Sequence, residues 1–272
     1  MASGLTLAFG VMRIINVAQG AMIVLGAFVS YSLFTHLGID PFVSILIMAP
    51  VMFLLGVGLQ LLFLRPLRSD ESEELSLLVT WAIALGIEGV LSLLYQTTYR
   101  SINTSYANDS LSVLGYRVSL VRLLGFAVSA LIVISLLVVL SKTRLGRAIR
   151  ATVQNPTSAQ LLGVDATRVR AIGFGIAVAT ATAAGAVFGI VFPFNPGSHY
   201  DLISRTLTII VLGGLGSLGG AVVAALFMGV VESVFATEIS PTWASFTFFV
   251  VLIVVLMIRP QGLFGATDRG AL

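Results

Sequence analysis

The sequence contains no cysteine, and its two histidines, His36 and His199, stand far apart. Without cysteine the chain forms no disulfide bond and performs no thiol chemistry. The histidines match no metal-ligand spacing, and the phosphate-binding pattern GxxxxGK[ST] is absent from the sequence. The sequence therefore predicts no catalytic site, no metal site and no cofactor bound by this chain.

Charge is scarce as well. Only 10% of the residues are charged, against roughly 25% in a soluble domain, and mean hydropathy is +1.04. The apolar residues stand in blocks of ~20, the length with which a helix crosses ~30 Å of hydrocarbon. Composition therefore predicts an all-α, polytopic transmembrane helical bundle in contact with membrane lipid. No polar loop is long enough to fold separately, so we expect one transmembrane domain over residues 1–272.

The net charge of +3 does not indicate a nucleic-acid partner, because the basic residues cluster in loops beside apolar blocks. Such clusters are orientation signals, since positively charged loops stay in the cytoplasm. The densest cluster lies between residues 142 and 170 and holds six of the fifteen lysines and arginines. This loop is therefore predicted to be cytoplasmic, which places loops 96–117 and 194–205 outside.

The apolar blocks predict about 7–8 spanning or half-spanning helices. Full spans are expected near residues 18–37, 42–64, 75–95, 118–141, 171–193 and 241–258. The block 206–235 is too long for one crossing and contains GGLGSLGG at 213–220. Two half-length helices that meet at these glycines would leave Arg259 and Arg269 in the cytoplasm, as the charge rule requires. One long span is the alternative, with the C-terminus outside.

The loop 142–170 carries the signals of a short, capped helix. Asn155 is suited to the N-cap, Pro156 to the first helical position, and Gly163 to the left-handed position after the last turn. The enclosed helix has about two turns, which is too few for stability alone in water. This helix must therefore pack against something else.

The residues before it predict an amphipathic helix. Three arginines at i, i+3 and i+6 share one face: Arg144, Arg147 and Arg150. Three apolar residues occupy the other face: Leu145, Ala148 and Ile149. One interpretation is an interfacial helix whose arginines reach lipid head groups. The other is a docking element for a cytoplasmic protein, and only this one explains the second, separately capped helix.

The segment TRLGRAIRATVQNPTSAQLLGVD at 143–165 resembles the cytoplasmic coupling loop of bacterial ABC-importer permeases of the branched-chain amino acid class. Three further stretches, at 4–28, 209–226 and 258–265, resemble the same family in the same order. Together they cover both ends and the centre of the chain. The nearest type is the LivH-like subunit.

The resemblance implies a permease subunit of an ATP-binding-cassette importer in the bacterial plasma (inner) membrane. Its expected partners are a second, LivM-like permease, two cytoplasmic LivG- and LivF-like ATPases that bind ATP and Mg, and an external substrate-binding protein. Branched-chain or related amino acids are the expected substrates, with urea, amides or aromatic acids as alternatives. By this resemblance, the residues that couple to the ATPase are Arg147, Arg150, Gln154, Asn155, Pro156, Ala159, Leu162 and Gly163. A stand-alone channel or secondary transporter for a small neutral solute is the alternative function.

Polar residues and glycines inside apolar blocks are candidate lining of the translocation pathway, because such groups are tolerated beside protein or a water-filled cavity. The candidates are Asn16, Gln19, Gly20, Glu88, Gly213, Gly214, Gly216 and Gly219. Each group also has a structural alternative. The first three would satisfy backbone groups at a helix break, Glu88 would form a buried polar pair, and the glycines would allow close helix packing or a plain hairpin.

Two departures from the family pattern bear on these expectations. Members often have histidine at the position of Gln19, so no proton-linked role is expected there. Members also commonly carry a further apolar stretch before residue 4, so we expect this chain to start late relative to them.

Overall fold

The computed structural model describes residues 1–12, 16–67, 72–107, 109–113, 116–259 and 261–264. This part of the chain is almost entirely helical, which confirms the predicted all-α polytopic bundle. The helices are α1 (Ala2–Met12), α2 (Ala18–Leu37), α3 (Pro41–Leu59, extended by a π-helical turn at Gln60–Leu64), α4 (Ser72–Tyr95), α5 (Leu120–Lys142), α6 (Arg144–Gln154), α7 (Pro156–Leu161), α8 (Ala166–Val191), α9 (His199–Gly213), α10 (Leu218–Glu238) and α11 (Pro241–Ile258). Arg13, which interrupts the first apolar block, lies outside the described residues.

Within the described residues, six helices are long and apolar enough to cross a membrane: α2, α3 with its π-helical turn, α4, α5, α8 and α10. The bounds of α2 and α11 coincide with the predicted spans 18–37 and 241–258. α8 begins five residues before the predicted fifth span, 171–193. Asp165 caps this helix, and its Oδ1 accepts a hydrogen bond from the Arg168 amide at 3.1 Å.

The centre of the bundle is formed by α2 and α8, which carry the largest buried stretches. Small residues make this contact close, as the Gly- and Ala-rich sequence of α8 predicts. A methyl group at Gly185 would overlap the carbonyl oxygen of Ile23, and one at Gly26 would overlap the backbone of Thr182. The two helix backbones therefore touch directly, and the remaining helices are arranged around this pair.

The segment around the glycine-rich sequence is a helical hairpin whose two arms differ in length. The predicted break at 213–220 is confirmed, because a turn at Gly214–Ser217 separates α9 from α10. The prediction of two half-length arms is wrong for α10, whose 21 residues extend about 32 Å at 1.5 Å per residue. The prediction of a loop throughout 194–205 is also wrong. A capping box between Asn195 and Ser198 forms a 3-10 turn that leads directly into α9.

The segment between α4 and α5 is not the plain polar loop that its composition predicts. It contains a two-stranded antiparallel hairpin, with β1 (Ser110–Val113) paired to β2 (Tyr116–Ser119). Arg100 also pairs with Phe194 through two backbone hydrogen bonds of 2.8 Å. The side chain of Ile102 is buried in the same aromatic and aliphatic cluster as Phe194. This segment therefore closes the end of the bundle at which α2, α4 and α8 meet.

Large apolar side chains cover the outer faces of the peripheral helices. Leu46 on α3, Leu93 on α4 and Met257 on α11 are among the most exposed. Water would disfavour so much apolar surface, whereas hydrocarbon or a partner subunit accommodates it. The arrangement is that of a multi-pass membrane protein.

Candidate functional site

The loop between α5 and α8 has the capped geometry that its sequence predicts. The side chain of Asn155 accepts a hydrogen bond from the Ser158 amide at 3.0 Å and so caps α7. Gly163 follows the helix with φ of +83°, in the left-handed region. A second cap precedes α6, where the Thr143 hydroxyl accepts from the Gly146 amide at 3.1 Å. Local side-chain hydrogen bonds therefore fix both short helices.

The two predicted faces of α6 are confirmed. Ile149 is buried with Leu7 of α1, Leu136 of α5 and Val169 of α8. On the opposite face, three arginine side chains are exposed: Arg144, Arg147 and Arg150. The Arg150 guanidinium also donates to the carbonyl oxygen of Leu140 at 2.6 Å. This helix is thus attached to α1, α5 and α8 by its apolar face while it presents positive charge outward.

α7 presents apolar side chains to its surroundings. Leu161 and Leu162 are 85% and 83% exposed, whereas Ala159 is 2% exposed. Two leucines at the end of a polar loop, next to the arginines of α6, form an apolar patch with a positive border. Ala159 is buried and Asn155 caps the helix, whereas the two leucines project from it.

Asn16 and Gln19 form a polar connection inside the bundle. The Asn16 amide donates to Gln19 Oε1 at 3.3 Å, and Gln19 Nε2 donates to the carbonyl oxygen of Ala177 at 3.2 Å. Both side chains are fully buried. Gly20 lies against α9, where a methyl group would come within 2.5 Å of the His199 carbonyl oxygen. In this conformation these residues join α2 to α8 and α9, and their place in a pathway stays a prediction.

The glycine turn between α9 and α10 is built for close packing. Gly214 and Gly216 have φ of +94° and +82°, and a methyl group at Gly213 would lie 2.5 Å from the Gly220 carbonyl carbon. No described atom comes within 4 Å of the same position on Gly219. The backbone of Leu263 donates to the carbonyl oxygen of Leu212 at 2.8 Å, so segment 261–264 packs beside the turn.

The glycine turn lies on the same side of the bundle as the coupling loop. Gly216 and Leu218 line a cleft of about 330 Å³ together with Arg150 and Gln154. In the sequence these are three separate motifs: the loop 142–170, the glycine-rich segment 213–220 and the C-terminal segment 258–265. The structure brings all three together at one end of the bundle.

Glu88 has partners on α9 that sequence reasoning missed. Its Oε2 lies 3.0 Å from His199 Nε2 and accepts a hydrogen bond from the Tyr200 hydroxyl at 3.1 Å. The side chain of His199 is 3% exposed and that of Glu88 is 25% exposed. Two features of the sequence point to this pair. A carboxylate within an apolar span needs a polar partner, and His199 is one of only two histidines in the chain.

A second charged group ties α9 to α10. The Arg205 guanidinium donates to Asp201 at 2.7 Å and also to the carboxylate of Glu232. It lies over the ring of Phe248 on α11 as well, 5.0 Å from the centroid. The i, i+4 spacing of Asp201 and Arg205 is the signal in the sequence. The contact with Glu232 had no local signal.

Residues 1–256 match the family described as branched-chain amino acid transport system / permease component. The chain belongs to this family. It is a permease subunit of an ATP-binding-cassette importer, a class whose ATP hydrolysis is carried out by separate subunits and whose substrate is delivered by a binding protein.

Full-length relatives agree with this membership. The chain is 28% identical to the high-affinity branched-chain amino acid transport system permease protein BraD of Pseudomonas aeruginosa, over 98% of this chain and 91% of that protein. It is 28% identical to the probable permease LivH of Methanocaldococcus jannaschii, over 97% and 87% of the two chains. For LivH of Escherichia coli the identity is 26%, over 98% and 91%. No solved structure matches the chain.

Proposed function

We propose that this chain and a second, LivM-like permease form the translocation pathway for branched-chain or related amino acids across the bacterial inner membrane. Two cytoplasmic ATPases, LivG- and LivF-like, would bind ATP and Mg and drive the cycle, and an external protein would deliver the substrate. The observation that carries this proposal is the apolar tip of α7, Leu161 and Leu162, held outside the bundle beside the arginines of α6.

The connection from this tip into the membrane is short. α7 follows α6 after a single residue, and the buried face of α6 packs on α1, α5 and α8. α8 is one of the two central helices. A displacement of α7 by a partner would therefore reach the centre of the bundle through packed side chains, because a close-packed interior transmits strain.

Charge supports a cytoplasmic position for this end of the molecule. The loop 142–170 has the highest density of lysine and arginine in the chain, and such loops stay in the cytoplasm. The glycine turn and segment 261–264 lie at the same end. The C-terminus is accordingly assigned to the cytoplasm, with the β1–β2 hairpin outside.

The substrate assignment rests on the relatives, which are named for branched-chain amino acids. Urea, short amides and aromatic acids remain the alternative substrates. A channel or secondary transporter is the alternative function, but such a protein has no use for a capped helix that exposes two leucines outside the membrane.

Copurification separates the importer from the channel. The chain, expressed with its native neighbours and extracted in mild detergent, should retain a soluble ATPase through washing. The variant Leu162→Asp should lose that ATPase, while Leu111→Asp, at an exposed leucine on β1, should keep it. Movement of leucine across the membrane of liposomes that contain the chain alone, without ATP, would contradict the proposal and favour a channel.

A further inference from the structure

The outer half of α9 exposes a polar stripe. Its members are at i, i+1, i+4 and i+5 and share one helix face: Tyr200, Asp201, Ser204 and Arg205. Glu88 on α4 reaches this stripe through Tyr200, and Glu232 on α10 reaches it through Arg205. Three helices therefore contribute polar side chains to one surface, which we call the α9 polar face.

This face lies at the depth of the hydrocarbon. Glu88 stands seven residues before the end of α4 at Tyr95, which at 1.5 Å per residue is about 10 Å below the outer end of that helix. Glu232 stands six residues before the end of α10 at Glu238, at a depth of about 9 Å by the same rise. The polar side chains are thus well below the outer surface.

These groups are nevertheless partly open. The side chain of Asp201 is 60% exposed and that of Glu232 is 31% exposed. Charged groups at this depth are costly against lipid and face protein or water. Leu93, on another side of α4, is 87% exposed and suits lipid. α4 therefore has one side that suits hydrocarbon and another, with Glu88, that suits water or a polar protein surface.

The charge of the face is negative. Three carboxylates, on Glu88, Asp201 and Glu232, stand against the one guanidinium of Arg205, so the formal charge is −2 when His199 is neutral. Arg205 is occupied by two of these carboxylates. The remaining carboxylate, Glu88, is held by His199 and Tyr200 and forms no ion pair with a lysine or arginine among the described residues.

The atoms of Glu88 are positioned for this role. Oε2 contacts both His199 Nε2 and the Tyr200 hydroxyl, whereas Oε1 has no hydrogen-bond partner among the described residues. The buried His199 ring contacts Glu88 through Nε2, whereas Nδ1 of the same ring has no hydrogen-bond partner in the described part of the chain. The histidine therefore orients the carboxylate, and Oε1 lies beside the turn at residues 195–198, 3.9 Å from where a methyl group on Gly197 would stand.

We propose that the α9 polar face lines the external, water-filled vestibule of the translocation pathway and that Glu88 Oε1 receives the ammonium group of a zwitterionic substrate. This inference rests on the proposed function and adds a recognition site to it. A negative wall at depth favours the ammonium end of an amino acid and disfavours free carboxylic acids. It also favours amino acids over urea, which carries no charge.

A dry contact with the second permease is the competing use of this face. That contact would bury a net negative charge and would need cations from the partner to be tolerated. The two uses differ in whether water reaches Ser204 in the assembled complex, which is the quantity to measure.

The chain has no cysteine, so single-cysteine variants need no prior substitution. Ser204→Cys is placed in the α9 polar face. Val90→Cys is placed on the lipid-facing side of α4, where Val90 is 56% exposed and stands about 8 Å below the outer end of the helix. Each is assembled with cysteine-free partner subunits in liposomes and treated from outside with membrane-impermeant methanethiosulfonates, one cationic and one anionic. We expect Ser204→Cys to react, about tenfold faster with the cationic reagent because of the local field, and Val90→Cys to stay unmodified.

Two results would overturn the vestibule. One is protection of Ser204→Cys in the complex together with reaction in the isolated subunit, which would make the face a permease–permease interface. The other is equal modification of Ser204→Cys and Val90→Cys. Because labelling needs no transport, a failure of leucine uptake in the unmodified complex would count against the proposed function and leave this readout intact.

The ammonium site has its own test in ATP-driven leucine uptake. Glu88→Gln keeps the shape and the acceptor oxygen but removes the charge. Because a binding protein delivers the substrate, the readout is the uptake rate at a saturating concentration of the leucine-loaded binding protein. This rate should fall about tenfold, the factor that 1.4 kcal/mol produces. Glu74→Gln, at an exposed position near the other end of the same helix, should leave this rate unchanged. An unchanged rate in Glu88→Gln, with normal Ser204→Cys labelling, would refute the ammonium site while the vestibule stands.

Discussion

Removal of the two exposed leucines of α7 should uncouple the permease from its ATPase without unfolding it. In the double variant Leu161→Ala, Leu162→Ala, both side chains lose the methyl groups that a partner would bury. Full burial of one leucine contributes about 1.5–3 kcal/mol, and part of that gain is offset by the cost of association. We therefore expect a loss of roughly 2–4 kcal/mol, which is about 30- to 1000-fold in affinity.

The assay is the affinity of the detergent-solubilised permease for the separately purified ATPase, measured by fluorescence titration. Leu111→Ala, an exposed leucine on the opposite side of the molecule, is the matched control. The thermal midpoint of the double variant should equal that of the unsubstituted chain, because Leu161 and Leu162 are exposed. An affinity within about twofold of the unsubstituted protein, the range of an ordinary surface substitution, would refute the docking role.

Three further substitutions test the helix packing, the cap of α7 and a hydrogen bond outside the bundle. Gly185→Ala should lower stability by about 1–3 kcal/mol or more through overpacking against α2. Gly86→Ala, whose added methyl group would meet no atom of another described element within 4 Å, should be neutral or slightly stabilising in a thermal melt. Asn155→Ala removes the cap of α7 at a cost of about 0.5–2 kcal/mol, which should weaken ATPase binding, and Asn155→Asp should restore it. Burial and the hydrogen bond to Asp40 raise the pKa of Tyr106 above its ordinary value. The contribution of Tyr106 to folding stability is therefore complete below about pH 10 and is lost as pH rises through the raised pKa. The stability difference between the unsubstituted chain and Tyr106→Phe, about 1 kcal/mol for this bond, should be constant from about pH 6 to 9 and shrink above 10.

Local signals in the sequence predict the coupling loop well. Asn155 and Gly163 act within three or four residues of their own positions through a side-chain cap and a left-handed backbone. Such features depend on short-range geometry that any surrounding fold would accept. The apolar and basic faces of α6 are local features in the same sense, because they follow from the spacing of residues along one helix.

The charged contacts of α9 could not be predicted in this way. Glu88 and His199 are 111 residues apart, and Arg205 and Glu232 are 27 apart. The polar stripe of α9 also misled the hydropathy reading, because Tyr200, Asp201 and Arg205 have the composition of a loop. A helix that faces water or a partner in the membrane is less apolar than one that faces lipid, so hydropathy alone places its start too late.

The most direct test of the account is uptake of labelled leucine by liposomes that contain the assembled complex with its binding protein, compared with labelled urea. Leucine should accumulate only with ATP on the side of α7 and should not accumulate in the Leu161→Ala, Leu162→Ala variant, and urea should not accumulate at all. Accumulation of leucine that continues without ATP, or in the absence of the ATPase, would contradict it.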